Sequence, residues 1–143
     1  MRSVTFLDAV GPVRKQYHSR HSERGHLIWD VDRLVRRSKH FPRVKVLLSS
    51  LRELDESYWF NGVDDVPTCR AVADHARLIE ATDLSYPIIL SSSGRIMDGI
   101  HRVAKAYMLG HETIVAVQFD KDPEPDYIDV PLGELPYEET EGK

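Results

Sequence analysis

The order of apolar and polar positions along the chain predicts short helices that alternate with short strands. Three segments have apolar residues at helical spacing: residues 29–39, 67–83 and 100–109. Five segments have the alternation or the β-branched composition of strands: residues 44–48, 87–90, 95–97, 113–119 and 127–130. This order predicts an α/β chain of the α+β type, in which a small mixed sheet is flanked by helices.

The ends of the predicted helices carry capping signals. Asp30, Thr68 and Asp98 precede the three helices, and their side chains can accept hydrogen bonds from the first backbone N–H groups. Gly110 suits the left-handed position that ends the third helix. We therefore expect each helix to begin and end close to these residues.

The apolar stripes of the second and third helices predict which side chains are buried. In the second helix the stripe consists of Cys69, Val72, Ala76 and Ile79. It predicts Cys69 as a small core residue rather than a nucleophile, and it leaves His75 at the surface. The third helix offers Val103, Ala104, Tyr107 and Met108 to a core.

Composition and charge divide the chain of 143 residues into three regions. Residues 1–25 are basic and polar, which predicts an irregular arm; residues 26–130 form one domain, and residues 131–143 form an acidic tail. Residues 1–46 hold eleven lysines and arginines against four acids, a net charge of +7, whereas residues 120–143 hold two lysines against nine acids, a net charge of −7. The two ends either attract each other in the fold or leave the basic half to an anionic partner.

The sequence predicts a cytoplasmic protein without a membrane segment. Cys69 is the only cysteine, which excludes an internal disulfide framework and fits a reducing compartment. No apolar run approaches the roughly 20 residues of a membrane helix. Asp8 interrupts the stretch in which a signal peptide would be apolar.

A phosphate-binding loop is predicted between the strand at residues 95–97 and the third helix. Gly99 allows a close approach of the backbone to a ligand, and the first N–H groups of the helix face an anion with the positive end of the helix dipole. Arg102 can bind two phosphate oxygens, and His101 can donate a hydrogen bond. The loop is the strongest functional signal in the chain.

Two further segments carry candidate functional side chains. Residues 52–62 combine acids with three consecutive aromatic residues, so Glu53 or Glu56 can act as a general base or metal ligand if partly buried. The alternative is that the aromatic residues anchor a loop and the acids are solvated. On the first helix, Arg33, Arg36 and Arg37 form a basic face, which is either a nucleic-acid contact or a solvated surface.

The loop and its surroundings resemble the ParB/sulfiredoxin superfamily. In that family a pair of strands leads through an Asp/Gly-Gly-x-(His/Arg)-Arg loop into a helix that ends in Leu-Gly. The resemblance is good over residues 86–119 and loose over residues 44–119. In this chain the loop and the helix end read Met97-Asp98-Gly99-Ile100-His101-Arg102 and Leu109-Gly110.

The resemblance implies a small α/β domain that binds ATP or another nucleotide, with Mg²⁺, at this loop. The cofactor-binding residues would be Asp98, Gly99, Ile100, His101 and Arg102, with Asp98 also available to the metal. The catalytic residues would be His101 and one of Glu53 and Glu56, the base expected from the free-serine kinase branch.

Two departures from the family narrow the implied activity. Sulfiredoxins have a catalytic cysteine where this chain has Ile100, so sulfinic-acid reduction is not expected. Partition proteins carry a further DNA-binding region, for which too little helical sequence follows residue 119. The sequence therefore predicts a nucleotide-dependent phosphotransferase or nucleotide hydrolase that acts on a small molecule or a protein. The alternatives are a non-catalytic module that binds nucleic acid or a protein partner, and a purely structural loop.

Overall fold

Residues 15–60 and 63–137 are described by a computed structural model, and they form two β-sheets and three α-helices. The strands are β1 (Tyr17–Ser22), β2 (Gly25–Asp30), β3 (Val44–Leu47), β4 (Ile88–Leu90), β5 (Ile96–Asp98), β6 (Thr113–Gln118) and β7 (Tyr127–Ile128). The helices are α1 (Val31–Ser38), α2 (Cys69–Ala81) and α3 (Ile100–Met108). Short 3₁₀ turns lie at Leu48–Ser50, Arg52–Asp55 and Leu132–Glu134. The arrangement confirms the predicted α+β class.

The larger sheet is mixed, as predicted, and has the strand order β3-β6-β4-β5. β4 runs parallel to β6, while the β3–β6 and β4–β5 pairs are antiparallel. The smaller sheet is antiparallel and has the order β1-β2-β7. β5 is therefore one edge of the larger sheet, and β1 is one edge of the smaller sheet.

The core lies on both faces of β4. Ile88 and Leu90 point toward α3 and belong to a hydrophobic cluster with Val103 and Ala106. Ile89 points to the opposite face, into a second cluster that contains residues of β2, α1 and β5: Leu27, Trp29, Leu34 and Met97. Because successive side chains of a strand alternate between faces, a strand buried on both sides is a continuous apolar run.

Three of the four predicted helix ends are confirmed. Asp30 Oδ1 accepts a hydrogen bond from Asp32 N at 2.9 Å, and Thr68 Oγ1 accepts one from Ala71 N at 3.1 Å. Gly110 has a φ of 80° just after α3. The third N-cap prediction is wrong, because Gly99 rather than Asp98 occupies that position. Asp98 instead belongs to β5, where it lies opposite Ile89.

The prediction of an irregular arm over residues 1–25 is wrong for its last part. Residues 17–22 form β1, which pairs with β2 through a two-residue turn at Glu23 and Arg24. Polar side chains with distant partners stabilise this strand: Arg20 Nη2 lies 2.8 Å from Asp122 Oδ2. Residues 1–14 of the predicted arm lie outside the described residues.

The opposite charges of the two chain ends attract each other within the fold. Three ion pairs join the basic first part to the acidic segment after β6: Arg20–Asp122, Arg24–Glu124 and Arg33–Asp126. Trp29 Nε1 adds a hydrogen bond to the carbonyl oxygen of Pro123 at 2.8 Å. These contacts hold the smaller sheet against the segment that follows β6.

The predicted buried stripe of α2 has the right period and the wrong position. Cys69 and Ala76 are exposed and Val72 is 50% exposed, whereas Asp74 and His75 are buried. The helix turns a different face to the protein interior than predicted, because Trp59 and His101 stack on His75. In α3, Val103 is buried as predicted, but Tyr107 and Met108 are more than 60% exposed.

The predicted acidic tail over residues 131–143 is described only to residue 137. Leu135 is buried, and the Tyr137 hydroxyl donates a hydrogen bond to the carbonyl oxygen of Leu132 at 2.8 Å. The remaining part of that prediction lies outside the described residues. Within residues 15–60 and 63–137, no helix is both long enough and apolar enough to cross a membrane.

Candidate functional site

A cavity of about 880 Å³ lies between the two sheets, where β1 approaches the end of β5. Three chain segments supply most of its wall. They are residues 16–21, which precede and include most of β1, residues 53–58 after β3, and residues 95–102. The predicted phosphate loop and the predicted acidic segment therefore meet in one cavity. β1 is the third contributor, and the sequence analysis did not assign it to the site.

Gly99 sets the geometry of the loop. Its φ of 108° lies in the left-handed region, and it is the N-cap of α3, where no side chain caps the first backbone N–H groups. A Cβ atom at this position would lie 2.7 Å from Ile88 Cγ2 and 2.8 Å from Arg102 Nη2. Only glycine therefore lets the chain turn here from β5 into α3 while it lies against the core.

Arg102 and Asp98 form an ion pair inside the loop. Arg102 Nη2 lies 3.1 Å from Asp98 Oδ2 and also donates to the carbonyl oxygen of Pro87 at 3.3 Å. Arg102 Nε is buried and has no hydrogen-bond partner within the described residues. Burial raises the pKa of Asp98, and the nearby Arg102 only partly opposes this. Arg102 Nη1 forms no hydrogen bond within the described residues, so it is the donor left for an anionic ligand.

Both candidate bases of the acidic segment are engaged with Arg95. Glu53 is 3% exposed, and its Oε2 accepts a hydrogen bond from Ile96 N at 2.8 Å and lies 3.1 Å from Arg95 Nε. Glu56 binds both terminal nitrogens of Arg95, at 2.9 and 2.7 Å. The hydrogen bonds from Arg95 lower the pKa of Glu56. In this arrangement the two glutamates fix Arg95 in the cavity wall.

His101 belongs to a stacked group that the sequence analysis missed. His101 Nε2 lies 3.0 Å from His75 Nδ1, and the Trp59 ring stacks on both histidines at 5.1 and 4.3 Å. Burial lowers the pKa of each histidine to about 4. Both are therefore neutral near pH 7. No local signal marks His75, because its partners are distant in the sequence.

β1 brings a histidine and an arginine to the other side of the cavity. Burial and the nearby charge of Arg20 together lower the pKa of His18 to about 4, and burial has the larger effect. The Arg20 guanidinium lies 4.9 Å from the centre of the Trp29 ring and 2.8 Å from Asp122 Oδ2. The β1 side of the cavity thus offers a neutral imidazole and an arginine that is already paired.

The basic face of α1 lies outside this cavity. Arg33 pairs with Asp126, which removes part of the face from any partner. Arg36 is exposed, and neither Arg36 nor Arg37 forms an ion pair with another residue of the described ranges. The structure therefore divides the three predicted nucleic-acid residues between an internal contact and the surface.

The described part of the chain contains no group of three or more His, Cys, Asp or Glu residues that could hold a metal ion. A Mg²⁺ ion here would need ligands from phosphate oxygens and water in addition to Asp98, which is a common arrangement for this ion. In comparisons with known proteins, no protein-family model, curated protein or solved structure matches this chain.

We expect Gly99→Ala to destabilise the protein more than Gly94→Ala. Both glycines have a positive φ, which costs a residue with a Cβ about 1–2 kcal/mol. At Gly94 the Cβ would meet no atom within 4 Å, whereas at Gly99 it would meet the fully buried Ile88. We expect an additional loss of at least about 1 kcal/mol at Gly99. Urea unfolding of the two variants measures this difference, and equal losses would contradict the close approach of the loop to the core.

The buried histidines predict a loss of stability on mild acidification. His75 has a pKa of about 4 in the fold and an ordinary value of 6.5, so the unfolded chain binds more protons between these pH values. Stability then falls as the pH drops through that range. His75→Gln should lose about 1–2 kcal/mol less than the wild type between pH 7 and pH 5. The exposed His111→Gln is the control, and equal pH dependence in all three proteins would refute the prediction.

Proposed function

We propose that this chain binds a nucleotide in the cavity, with its phosphates at residues 98–102, and uses it for phosphoryl transfer or hydrolysis. The observation that carries the proposal is Arg102, an arginine of the cavity wall whose Nη1 donates to no acceptor within the described residues. A phosphate oxygen is the acceptor that best suits such a group next to a helix N-terminus.

The dimensions and chemistry of the cavity support this proposal. Its volume of about 880 Å³ lies within the usual range for ligand sites, roughly 300–1,000 Å³. Gly99 leaves the backbone of the loop open to close approach, and Ile100 supplies an apolar neighbour that is also part of the core. The same loop is the basis of the resemblance to the ParB/sulfiredoxin superfamily, which remains part of the proposal.

Phosphoryl transfer mainly requires positioned charges, and the residues of the cavity can provide them. Arg102 would stabilise the charge on the phosphates, whereas Arg95 is paired with Glu53 and Glu56 and would keep these carboxylates in the cavity wall. Asp98 would be the carboxylate ligand of a Mg²⁺ ion, which supplies further charge neutralisation when bound. His101 is neutral at pH 7 and would accept a hydrogen bond from the attacking hydroxyl group or water, which positions it for attack.

The acceptor would be a small molecule or a protein. We place the chain in the cytoplasm because it has a single cysteine, Cys69.

A second candidate function is that of a non-catalytic module in which α1 binds nucleic acid. The exposed Arg36 and its neighbour Arg37 favour it, although Arg33 is held by Asp126.

We predict that Arg102→Ala weakens nucleotide binding at least about ten-fold, since a charge-assisted hydrogen bond is worth about 1.5–3 kcal/mol. Calorimetric titrations with ATP, ADP and CTP, with and without Mg²⁺, measure the effect. Arg36→Ala removes the same charge outside the cavity and should bind as the wild type does. Arg102→Lys keeps the charge and tests whether the planar guanidinium is required.

Two outcomes would refute nucleotide binding at this loop. The first is a folded Arg102→Ala protein that binds as tightly as the wild type. The second is a wild-type protein that binds none of the three nucleotides. Circular dichroism of each variant shows whether the loss of the partner of Asp98 has affected folding.

The nucleic-acid candidate makes a different prediction. Binding of a short DNA or RNA duplex through α1 should weaken steeply with added salt, because each phosphate contact releases counterions. Arg36→Ala should then reduce both the affinity and the salt dependence, and Arg102→Ala should change neither. Absence of binding at low salt excludes this candidate.

A further inference from the structure

The cavity runs along the free edge of β1. Side chains of alternate strand residues point to opposite faces of a sheet, so a cavity on one face would contact every second residue of both strands of the hairpin. Here all residues from 16 to 21 contact the cavity, whereas β2 contributes only His26. His18 and Arg20 pack against Trp29 on one face, and Tyr17 packs against Tyr127 on the other. Contact with both sets of residues places the cavity beside the strand.

The backbone of β1 presents hydrogen-bonding groups to this cavity. The carbonyl oxygens of His26 and Ile28 accept bonds from Asp129 N and Asp126 N, so these two residues of β2 turn their backbone groups away from β1. His26 and Ile28 lie opposite His21 and Ser19. In an antiparallel pair such residues are not hydrogen-bonded to each other, so the backbone groups of His21 and Ser19 point to the free edge.

The same alternation places the backbone groups of Tyr17 at the free edge. Three N–H groups and three C=O groups therefore point along this side of β1, at Tyr17, Ser19 and His21. No hydrogen bond to any of them is present within residues 15–60 and 63–137. An unpaired strand edge of this kind is a template for a further strand.

The opposite wall of the cavity is closed to strand pairing. β5 is the edge of the larger sheet, but Ile96 N already donates to Glu53 Oε2 at 2.8 Å. The carboxylate of Glu53 thus occupies the backbone donor of the first residue of this three-residue strand. A strand that entered the cavity would therefore pair with β1 and direct its side chains toward the loop of Asp98 and Arg102.

The charge of the β1 side favours a polypeptide over a polyanion. Arg20, the arginine of this strand, is paired with Asp122, and His18 is neutral near pH 7. Recognition on this side then depends on main-chain hydrogen bonds rather than on charge. Strand addition is the mode of peptide recognition that uses such bonds.

We propose that an extended polypeptide segment of a partner protein binds in the cavity as a strand added to the edge of β1 that presents Tyr17, Ser19 and His21. The proposal depends on this edge and not on nucleotide binding. Where both hold, a side-chain hydroxyl group of the segment would lie beside the phosphates. Its oxygen would accept the terminal phosphoryl group, the bond to the leaving nucleotide would break, and the hydroxyl proton would pass to solvent. The six residues of β1 offer an edge of about 20 Å.

The test uses peptides selected on the full chain from a display library of random linear peptides of roughly ten residues. Ser19→Pro removes one N–H donor from the free edge without removing a hydrogen bond to β2, and proline is tolerated in edge strands. Ser19→Ala is the matched control, because it keeps the donor. We expect Ser19→Pro to weaken peptide binding at least about ten-fold, while Ser19→Ala binds as the wild type does. Peptide binding is measured without nucleotide, so its outcome does not depend on the previous proposal.

Amide hydrogen exchange gives a second test that needs no variant. Bound peptide should slow exchange at Tyr17, Ser19 and His21, while His18 and Arg20 already donate to β2 and should change little. The proposal is overturned if the library yields no binder, if a folded Ser19→Pro protein binds normally, or if protection appears elsewhere. It is also overturned if a synthetic peptide of residues 1–14 displaces every selected peptide and is itself bound more tightly. In that case the occupant is a segment of this chain.

Discussion

The burial of β4 on both faces is the constraint on which the rest of the structure depends. Ile88 and Leu90 join the cluster beneath α3, and Ile89 joins the cluster formed with Trp29 and Leu34. All three side chains are at most 3% exposed. β4 thus connects the two cores, and its neighbour β5 does the same, with Ile96 in the first cluster and Met97 in the second. Since each cluster alone is small, the docking of the N-terminal hairpin and the docking of α3 are parts of the same folded unit.

The same strand fixes the candidate site. Ile88 leaves no room for a side chain at position 99, so the backbone of Gly99 lies directly against the core. Asp98 ends β5 and Arg102 lies in the first turns of α3, so both charged residues stand on regular structure. The two side chains form an ion pair beside Gly99, with 3.1 Å between Arg102 Nη2 and Asp98 Oδ2. A site held in this way changes little in shape when a ligand arrives, which lowers the cost of ordering it.

Local signals in the sequence were sufficient for three of the four predicted helix ends and for most strands, because a capping bond joins residues two or three positions apart. They failed where the decisive partner is distant. β1 has few apolar residues, and its Arg20 is paired with Asp122, 102 positions away. His75 is buried because Trp59 and His101 stack with it, and neither belongs to α2. The loop of the site was therefore predictable, whereas the cavity, which needs three separate chain segments, was not.

The two ends of the cavity differ in chemistry, and this difference limits what can occupy it. At the α3 end, Arg102 Nη1 has no acceptor within the described residues, so an anion there would be stabilised by charge. At the β1 end, Arg20 already has its carboxylate, and the open groups belong to the backbone. A single nucleotide uses the first set of groups and leaves the second unused, whereas an extended polypeptide does the reverse. If both proposals hold, the two ligands would occupy the cavity together, and the reacting groups would meet between β1 and the loop at Gly99.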